Sequence, residues 1–278
     1  MRSASLDRAP PGDQYHVGAV RKALEVLCQF TAEHPSLGVS ELSRRLGIPK
    51  STTHNLLRTL EAFDFVHQDP ATRQFRLGAR VYELGLRFSR NTRLVPVAWP
   101  YLQRLAAETK ETVKLGVLSN QEVLIVAAVE SPYELHTRGD EGVRAWLHST
   151  GLGKAILARL PEREVRAVVA ARGLPRFTPH TIATPAALDA ELLRIRADGY
   201  AIDREESELG VVCVAAPMTD SNGGALAALS VSAPATRLAG DGLRACAAKV
   251  LGTAWAIEAA LGAPRPAADP KRIRKEKQ

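Results

Sequence analysis

Four side chains that can hydrogen-bond to the edges of nucleic-acid bases recur at helical spacing between positions 51 and 58. Ser51, His54, Asn55 and Arg58 occupy positions i, i+3, i+4 and i+7, so a helix would place them on one face. This face has no carboxylate, and its groups suit the donor and acceptor pattern of the DNA major groove. The opposite side of the segment repeats the spacing with residues suited to burial, namely Thr53, Leu56, Leu57 and Leu60.

Cationic and hydroxyl groups beside this face suit contacts with DNA phosphates. Lys50 and Thr52 lie in the first predicted turn of the helix, where free backbone amides also attract anions. Arg73 and Arg76 lie in a predicted hairpin that follows. Arg44 fits phosphate contact and ordinary solvation equally well. The competing interpretation of the whole segment is a surface helix whose outer face is merely polar.

Three predicted helices and a hairpin would position these side chains. The first helix runs from Val17 to the His34-Pro35 step, the second is short with Ser40 as its N-cap, and the third has Pro49 in its first turn. The hairpin strands are residues 65–67 and 74–77. Helix, tight break, helix and hairpin is the order of a winged helix-turn-helix.

The rest of the chain is predicted to be an α+β body. A helix that begins at residue 79 should end near Asn91, because Pro96 and Pro100 interrupt the pattern, and another should cover residues 101–110. Further helices are predicted over residues 152–160, 162–171, 185–198 and 235–261, and strands over 112–119, 123–130, 200–205, 211–218 and 225–232. Mixed strands and helices indicate the α+β class.

The 278 residues carry a net charge of +7, which is unevenly spread. Residues 1–94 hold +5, residues 95–262 hold −2 and residues 263–278 hold +4. This favours a nucleic-acid-binding head on a body with another task, although an enzyme with basic ends has the same pattern. The three widely separated cysteines predict neither a disulfide framework nor a zinc site. We expect a cytoplasmic protein with no membrane segment, metal or cofactor, since apolar leader and spanning stretches are absent from the sequence.

Several motifs resemble the IclR family of bacterial transcription regulators. They are ELSRRLGIPKSTTHNLLRTLEAFDFV and RQFRLG near the N-terminus, then LHSTGLGKAILA, ADGYAIDREESELGVVCVAAPM and ALAALSVSAPATRL in the body. The run from Asp203 to Pro217 is the most specific of these, and the similarity extends from about residue 17 to residue 261. Many family members have Arg at the position of Asn55, and since Asn suits adenine whereas Arg suits guanine, the operator preference should differ.

The resemblance implies a winged helix-turn-helix, a linker helix and a GAF-like effector-binding domain. It also implies a homodimer or homotetramer on a palindromic double-stranded DNA operator, with a small carboxylate as effector. The boundaries we predict are a disordered arm at 1–14, the DNA-binding domain at 15–78, the linker helix at 79–95, the effector-binding domain at 96–262 and a basic, disordered tail at 263–278.

Family ligand residues fall on matching positions of this chain, and the resemblance implies that they bind the effector: Gly151, Leu152, Asp203, Cys213, Ser230 and Ser232. Backbone amides at the start of the helix near Gly151 would attract a carboxylate. Ser230 and Ser232 are two apart in a strand and so face the same side. Asp203 would repel an anion unless it binds a ligand hydroxyl or is protonated.

Two other functions fit parts of the sequence. A hydrolase could use Cys213 as its nucleophile, but no local signature ties His136, His148 or His180 to it as a base. A regulator could instead respond to a protein partner. We expect a regulator rather than an enzyme.

Overall fold

The computed structural model describes residues 17–139, 141–220 and 224–262. The chain divides into two compact units between Thr92 and Arg93. The predicted arm at 1–14 and tail at 263–278 lie outside the described residues. The predicted linker and effector-domain boundaries at residues 95 and 96 fall close to this division. Within the described part of the chain, no helix combines the length and apolarity needed to cross a bilayer.

The first unit contains the predicted helices and hairpin. Its elements are α1 (Gly18–Cys28), α2 (Val39–Leu46), α3 (Lys50–Ala62), β1 (Val66–Gln68), β2 (Phe75–Leu77) and α4 (Ala79–Thr92). The two strands pair antiparallel, with His67 opposite Arg76. The core is formed by Val26, Phe30, Leu37, Leu42, Leu57, Leu60, Val66 and Phe75. Burial of this common cluster holds the three helices and the hairpin together.

Two helix ends in this unit differ from the sequence prediction. α1 ends at Cys28, because Thr31 and His34 close a turn in which each backbone N–H donates to the other's carbonyl at 3.2 and 3.1 Å. The N-cap of α2 is Gly38 and not Ser40. A bridge from Leu37 to Phe75, with both hydrogen bonds at 2.9 Å, fixes the chain immediately before Gly38, so the helix begins there.

The second unit is built around one antiparallel sheet of six strands. Its strands are β3 (Thr112–Ser119), β4 (Glu122–Val129), β5 (Arg144–Ala145), β6 (Ala201–Arg204), β7 (Val211–Thr219) and β8 (Ala225–Pro234), in the spatial order β5-β4-β3-β8-β7-β6. Its helices are α5 (Leu94–Thr109), α6 (Gly151–Leu157), α7 (Glu162–Arg172), α8 (Pro185–Asp198) and α9 (Gly240–Ala260). β5 was not predicted, since two residues are too few to show a strand pattern.

Apolar clusters cover both faces of this sheet. Residues of α5 and α9 form one core with alternate side chains of β3, β7 and β8. Residues of α6, α7 and α8 form a second core on the opposite face. Helices on both faces of an antiparallel sheet confirm the predicted mixed α+β class.

The linker helix α4 ends at Thr92, next to its predicted end near Asn91, and the break lies at Arg93. The helix that follows begins at Leu94 and not at residue 101 as predicted. Arg93 has a left-handed φ of 53° and acts as the N-cap of α5. Pro96 therefore lies in the first turn of α5, where an amide hydrogen has no helical partner to lose. Pro100 lies inside the same helix, so it did not end the helix as predicted. α9 also begins later than predicted, at Gly240.

Candidate functional site

The outer face of α3 presents the predicted polar groups to solvent. Lys50, Ser51, His54, Asn55 and Arg58 are exposed, and Thr52 is half-buried. On the other side, Thr53, Leu57 and Leu60 are buried and Leu56 is half-buried against the core. The two faces thus separate as the helical spacing predicts.

The turn between α2 and α3 sets the direction of α3. Gly47 adopts a left-handed φ of 64°, which closes the end of α2 without a Cβ penalty. The Ser43 hydroxyl donates to the Ile48 carbonyl at 2.6 Å, and the Thr53 hydroxyl donates to the Pro49 carbonyl at 3.1 Å. Side-chain hydrogen bonds therefore hold both sides of this turn.

Cations gather around the start of α3. Lys50 and Arg44 line an open hollow together with Ser40, Ser43 and Glu41. Arg45 instead pairs with Glu41 at 2.6 Å. Of the two neighbouring arginines, Arg44 is therefore the one placed with Lys50 for contact with an anion.

Hydrogen bonds connect α3 to the hairpin and shape its tip. Glu61 accepts from Arg58 at 2.6 Å and from the backbone N–H of Gln68 at 3.0 Å. At the tip, Asp69 accepts from the N–H groups of residues 71 and 72 at 2.8 and 2.9 Å, and these bonds hold the pKa of its carboxyl below the ordinary value. Arg73, with a left-handed φ of 59°, and Arg76 extend from this hairpin and are exposed.

In the second unit, strand register brings the predicted effector residues into adjacent rows. Asp203, Cys213, Ser232 and Thr112 lie side by side on β6, β7, β8 and β3. The next row on the same side contains Ala201, Ala215, Ser230 and Lys114 in the same strand order. We call the surface formed by Asp203, Cys213, Ser232, Ser230 and Lys114 the polar face.

Asp203 is fully buried at one end of the polar face. Its carboxylate accepts from the Glu206 N–H at 2.7 Å and from the Ser207 hydroxyl at 2.8 Å. Burial raises the pKa of Asp203 to about 6, although these two hydrogen bonds oppose the shift. The carboxylate is therefore largely ionised at pH 7 and retains free lone pairs for a further donor.

A buried ion-pair group lies behind Asp203. Lys154 on α6 donates to the Ile202 carbonyl at 2.7 Å and to Glu191 at 3.0 Å, and it also pairs with Glu206. Burial raises the pKa of Glu206, and the nearby Lys154 ammonium opposes that shift. This group joins α6, α8 and the turn after β6, and it thereby fixes the segment that carries Asp203.

Cys213 lies next to Asp203 in the same row and is half-buried. Desolvation raises the pKa of its thiol to about 12, the Asp203 charge adds to the shift, and the Ser232 hydroxyl opposes it. The thiol is therefore protonated at neutral pH. This is the opposite of the depressed pKa that makes a cysteine nucleophilic.

Gly151 and Leu152 open α6, which begins one residue earlier and ends three residues earlier than predicted. Thr150 is the N-cap, and its hydroxyl accepts from the Gly153 N–H at 3.0 Å. A Cβ built on Gly151 would meet the Cβ atoms of Ala215 and Cys213 at 3.3 and 3.4 Å, so the backbone passes close over β7. The Leu152 side chain belongs to the apolar core, so this residue can offer a ligand only its backbone.

Sequence reasoning missed Lys114, the remaining charged residue of the polar face. Lys114 is only 6% exposed although it lies in mid-strand. Its neighbours Val113 and Leu115 belong to the core on the other side of the sheet. A lysine between two apolar residues was the available signal, but the same alternation describes a strand with one solvated face.

Comparison with known proteins assigns both units. A family model described as the IclR helix-turn-helix domain matches residues 19–70, and one described as the bacterial transcriptional regulator IclR C-terminal domain matches residues 87–259. The chain belongs to the IclR family of bacterial transcriptional regulators. This confirms the family and the two-part fold that the sequence motifs indicated.

Relatives of the IclR family match nearly the whole chain. The HTH-type transcriptional repressor AllR of Salmonella typhi is 34% identical over 261 residues, which cover 94% of this chain and 96% of AllR. The crystal structure of an IclR-type transcriptional regulator from Alicyclobacillus acidocaldarius has a TM-score of 0.80 at 27% identity, covering 89% of this chain and 100% of that one. An IclR homologue from Microbacterium hydrocarbonoxydans, crystallised with 4-hydroxybenzoate, has a TM-score of 0.78 at 28% identity, covering 88% and 99%.

Proposed function

We propose that this IclR-family protein is a repressor that binds operator DNA through α3 and the hairpin. Its affinity for the operator falls or rises when a small carboxylate binds the polar face. The observation that carries the DNA-binding part is the exposed polar set on α3, of which Arg58 also pairs with Glu61, backed by a buried apolar side. Repression is supported by the similarity to AllR. We expect a homodimer or homotetramer that binds a palindromic operator. We also expect a cytoplasmic location, since bacterial operator DNA is in the cytoplasm.

Direct contact with bases is assigned to the exposed side chains of α3. Asn55 can pair bidentately with adenine, whereas His54, Ser51 and Arg58 provide further donors and acceptors. Lys50, Thr52, Arg73 and Arg76 are assigned to the phosphate backbone, where they position the protein without reading sequence. Arg44 joins this second set because it lines the same hollow as Lys50.

Salt and sequence dependence distinguish these two roles. Duplexes selected from a random pool supply the operator, and fluorescence anisotropy then measures affinity at several salt concentrations. Asn55→Ala should cost about 1–3 kcal/mol and relax preference at one base pair. Lys50→Ala should weaken binding to all sequences and lower the salt slope by about one. Lys249→Ala, in the second unit, is the control for loss of one charge. Equal weakening of random DNA by the Asn55 and Lys50 variants would contradict the base-reading assignment.

The effector assignment rests on the polar face. Asp203, Cys213, Ser230 and Ser232 come together by strand register, and the start of α6, with Gly151 and Leu152, passes over β7 beside them. A carboxylate effector is supported by the 4-hydroxybenzoate bound to the structural relative. Loss of carboxylate binding in a Ser232→Ala variant, measured by calorimetry, tests the placement.

The protonated thiol of Cys213 argues against the hydrolase alternative. Cys213→Ser protein should still bind the effector, and neither form should turn over ester or amide substrates. The second alternative, control by a protein partner, predicts instead that no carboxylate changes the melting temperature of the protein.

A further inference from the structure

The side chain of Lys114 is mostly buried, and its ammonium has no counter-charge among the described residues. Among the residues that the structure describes, no group forms a hydrogen bond or ion pair with the Lys114 ammonium. Lys154, the other lysine buried among the described residues, is surrounded by two carboxylates and a carbonyl. The Lys114 ammonium itself is not among the fully buried atoms of the described residues, so the buried stem brings the charge to a point that solvent still reaches. A bound carboxylate can replace that solvent and supply the counter-charge.

A second unsatisfied group lies beside Lys114. Ser230 is its direct cross-strand partner, and the Ser230 hydroxyl is buried without a hydrogen-bond partner among the described residues. Strand register places Lys114 on the same side of the sheet as Cys213, two strands away, and its charge acts to lower the pKa of the Cys213 thiol. A cation and a free hydroxyl donor on adjacent strands together suit one carboxylate.

The other end of the polar face carries a negative charge, that of Asp203. Asp203 lies three strands from Lys114, which at the spacing of a β-sheet is about 14 Å between backbones. Its ionised carboxylate accepts hydrogen bonds and repels anions. A ligand that satisfies both ends therefore has a carboxylate at one end and a hydroxyl donor at the other.

We propose that Lys114 and Ser230 bind the carboxylate of the effector and that Asp203 accepts a hydrogen bond from its hydroxyl, so that the effector is a hydroxycarboxylate. This assignment rests on the proposed effector function of the polar face and adds to it the group that determines ligand charge. It also gives the Lys114 ammonium a counter-charge, which none of the described residues supplies.

Two matched series of compounds test ligand charge and hydroxyl separately. The first contains 4-hydroxybenzoate, the neutral 4-hydroxybenzamide and benzoate, which lacks the hydroxyl. The second contains glycolate, glycolamide and acetate, for a site that accepts only small ligands. Binding to the full-length protein is measured by calorimetry and by the shift in melting temperature, with sodium chloride at matched ionic strength as the inorganic arm.

Wild-type protein should prefer the carboxylate of at least one series over its amide, and the hydroxylated acid over the plain acid. Lys114→Met should lower affinity for the carboxylate about ten- to a hundred-fold and change affinity for the amide less than about two-fold. Lys114→Arg should retain the preference for carboxylate, and Lys249→Met should bind like wild type. Ligand-free Lys114→Met protein should melt close to the wild-type temperature, since the substitution removes no ion pair or hydrogen bond among the described residues. Ser230→Ala should also weaken carboxylate more than amide, which provides a second test if Lys114→Met protein does not fold.

The outcomes separate the two proposals. If wild type and Lys114→Met bind carboxylates equally well, the role of Lys114 is wrong while the effector function stands. If sodium chloride raises the melting temperature as much as the organic acids, Lys114 binds any anion and the assignment to a hydroxycarboxylate fails. If no compound of either series binds the wild-type protein, the effector class of the proposed function fails together with this inference.

Discussion

Asp203 is fully buried and accepts two internal hydrogen bonds. Burial raises the pKa of its carboxyl, whereas the hydrogen bonds lower it. The Glu206 amide and the Ser207 hydroxyl stabilise the ionised carboxylate, whereas desolvation and the neighbouring Glu206 charge favour the neutral acid. Desolvation is the larger effect, so the pKa rises to about 6. A carboxylate kept near its titration point can accept a ligand hydroxyl and can also destabilise the unliganded fold.

The Asp203→Asn variant should therefore be more stable than wild type at neutral pH. The folded-state pKa is above the ordinary value of 3.8, so the unfolded chain loses its proton first as pH rises. The contribution of Asp203 to the free energy of unfolding is thus largest below about pH 4 and falls until about pH 6. The stability difference between variant and wild type should grow across that window, by up to about 3 kcal/mol.

Urea unfolding of both proteins between pH 4 and pH 8 measures this difference. Asp189→Asn, which changes an exposed carboxylate on α8, is the control and should show no such growth. A constant difference between Asp203→Asn and wild type across the pH range would mean that Asp203 is not strained by burial.

At the scale of elements, sequence patterns predicted most helices and strands but not how some of them end. Apolar periodicity located α3, which buries one regular side, and a continuous apolar run located β7, which is buried on both faces along much of its length. The end of the linker helix near Asn91 was predicted, but the start of α5 at Leu94 was not, since it depends on the left-handed residue Arg93 and not on the prolines nearby. Lys114 could not be assigned either, because only the pairing of β3 with β8 reveals that its side of the strand is buried.

Two helical glycines should respond in opposite ways to the same substitution. A Cβ on Gly153 in α6 would fall inside the van der Waals radii of the Leu147 backbone, which has no room to move, whereas a Cβ on Gly252 in α9 would meet open space. Gly153→Ala should therefore destabilise the protein by more than about 2 kcal/mol and displace α6 from the polar face. Gly252→Ala should stabilise it by about 0.5–1 kcal/mol through helix propensity.

Urea unfolding measures both glycine variants, and effector calorimetry shows whether α6 has moved. Gly153→Ala protein with wild-type stability and wild-type effector affinity would mean that α6 does not approach residue 147 so closely.

The Lys154 group should behave as one unit that links α6, α8 and the turn after β6. Lys154→Met leaves Glu191 and Glu206 without their shared cation, so it should cost about 3–5 kcal/mol in the free energy of unfolding. Replacing all three together, by Lys154→Met with Glu191→Gln and Glu206→Gln, should recover much of that loss because these three positions then carry no charge. Denaturant unfolding at pH 7 measures both proteins, and a triple variant no more stable than the single one would argue against a charge effect.

At the scale of the whole molecule, the uneven distribution of charge matches the two functions we propose, DNA binding and effector binding. Residues 1–94 hold the excess of +5 and include the DNA-binding face, whereas residues 95–262 are slightly acidic and include the polar face. The negative net charge of residues 95–262 does not increase DNA affinity. Effector binding at the polar face must therefore change operator affinity by shifting the protein between conformational states. Coupling of this kind changes the two binding affinities by the same factor, whatever structural change connects the two sites.

Coupling between the two units must be reciprocal. If the effector changes operator affinity by some factor, typically 5- to 150-fold, operator DNA must change effector affinity by the same factor. Calorimetry of effector binding with and without saturating operator gives one ratio, and anisotropy of operator binding with and without saturating effector gives the other. The Lys50→Ala variant serves as the control, because at salt concentrations where it no longer binds the operator, added DNA should leave its effector affinity unchanged. Equal effector affinity of the wild-type protein with and without operator would show that the polar face and α3 are not coupled, and the proposed sensing role would then be lost even if each site binds its own ligand.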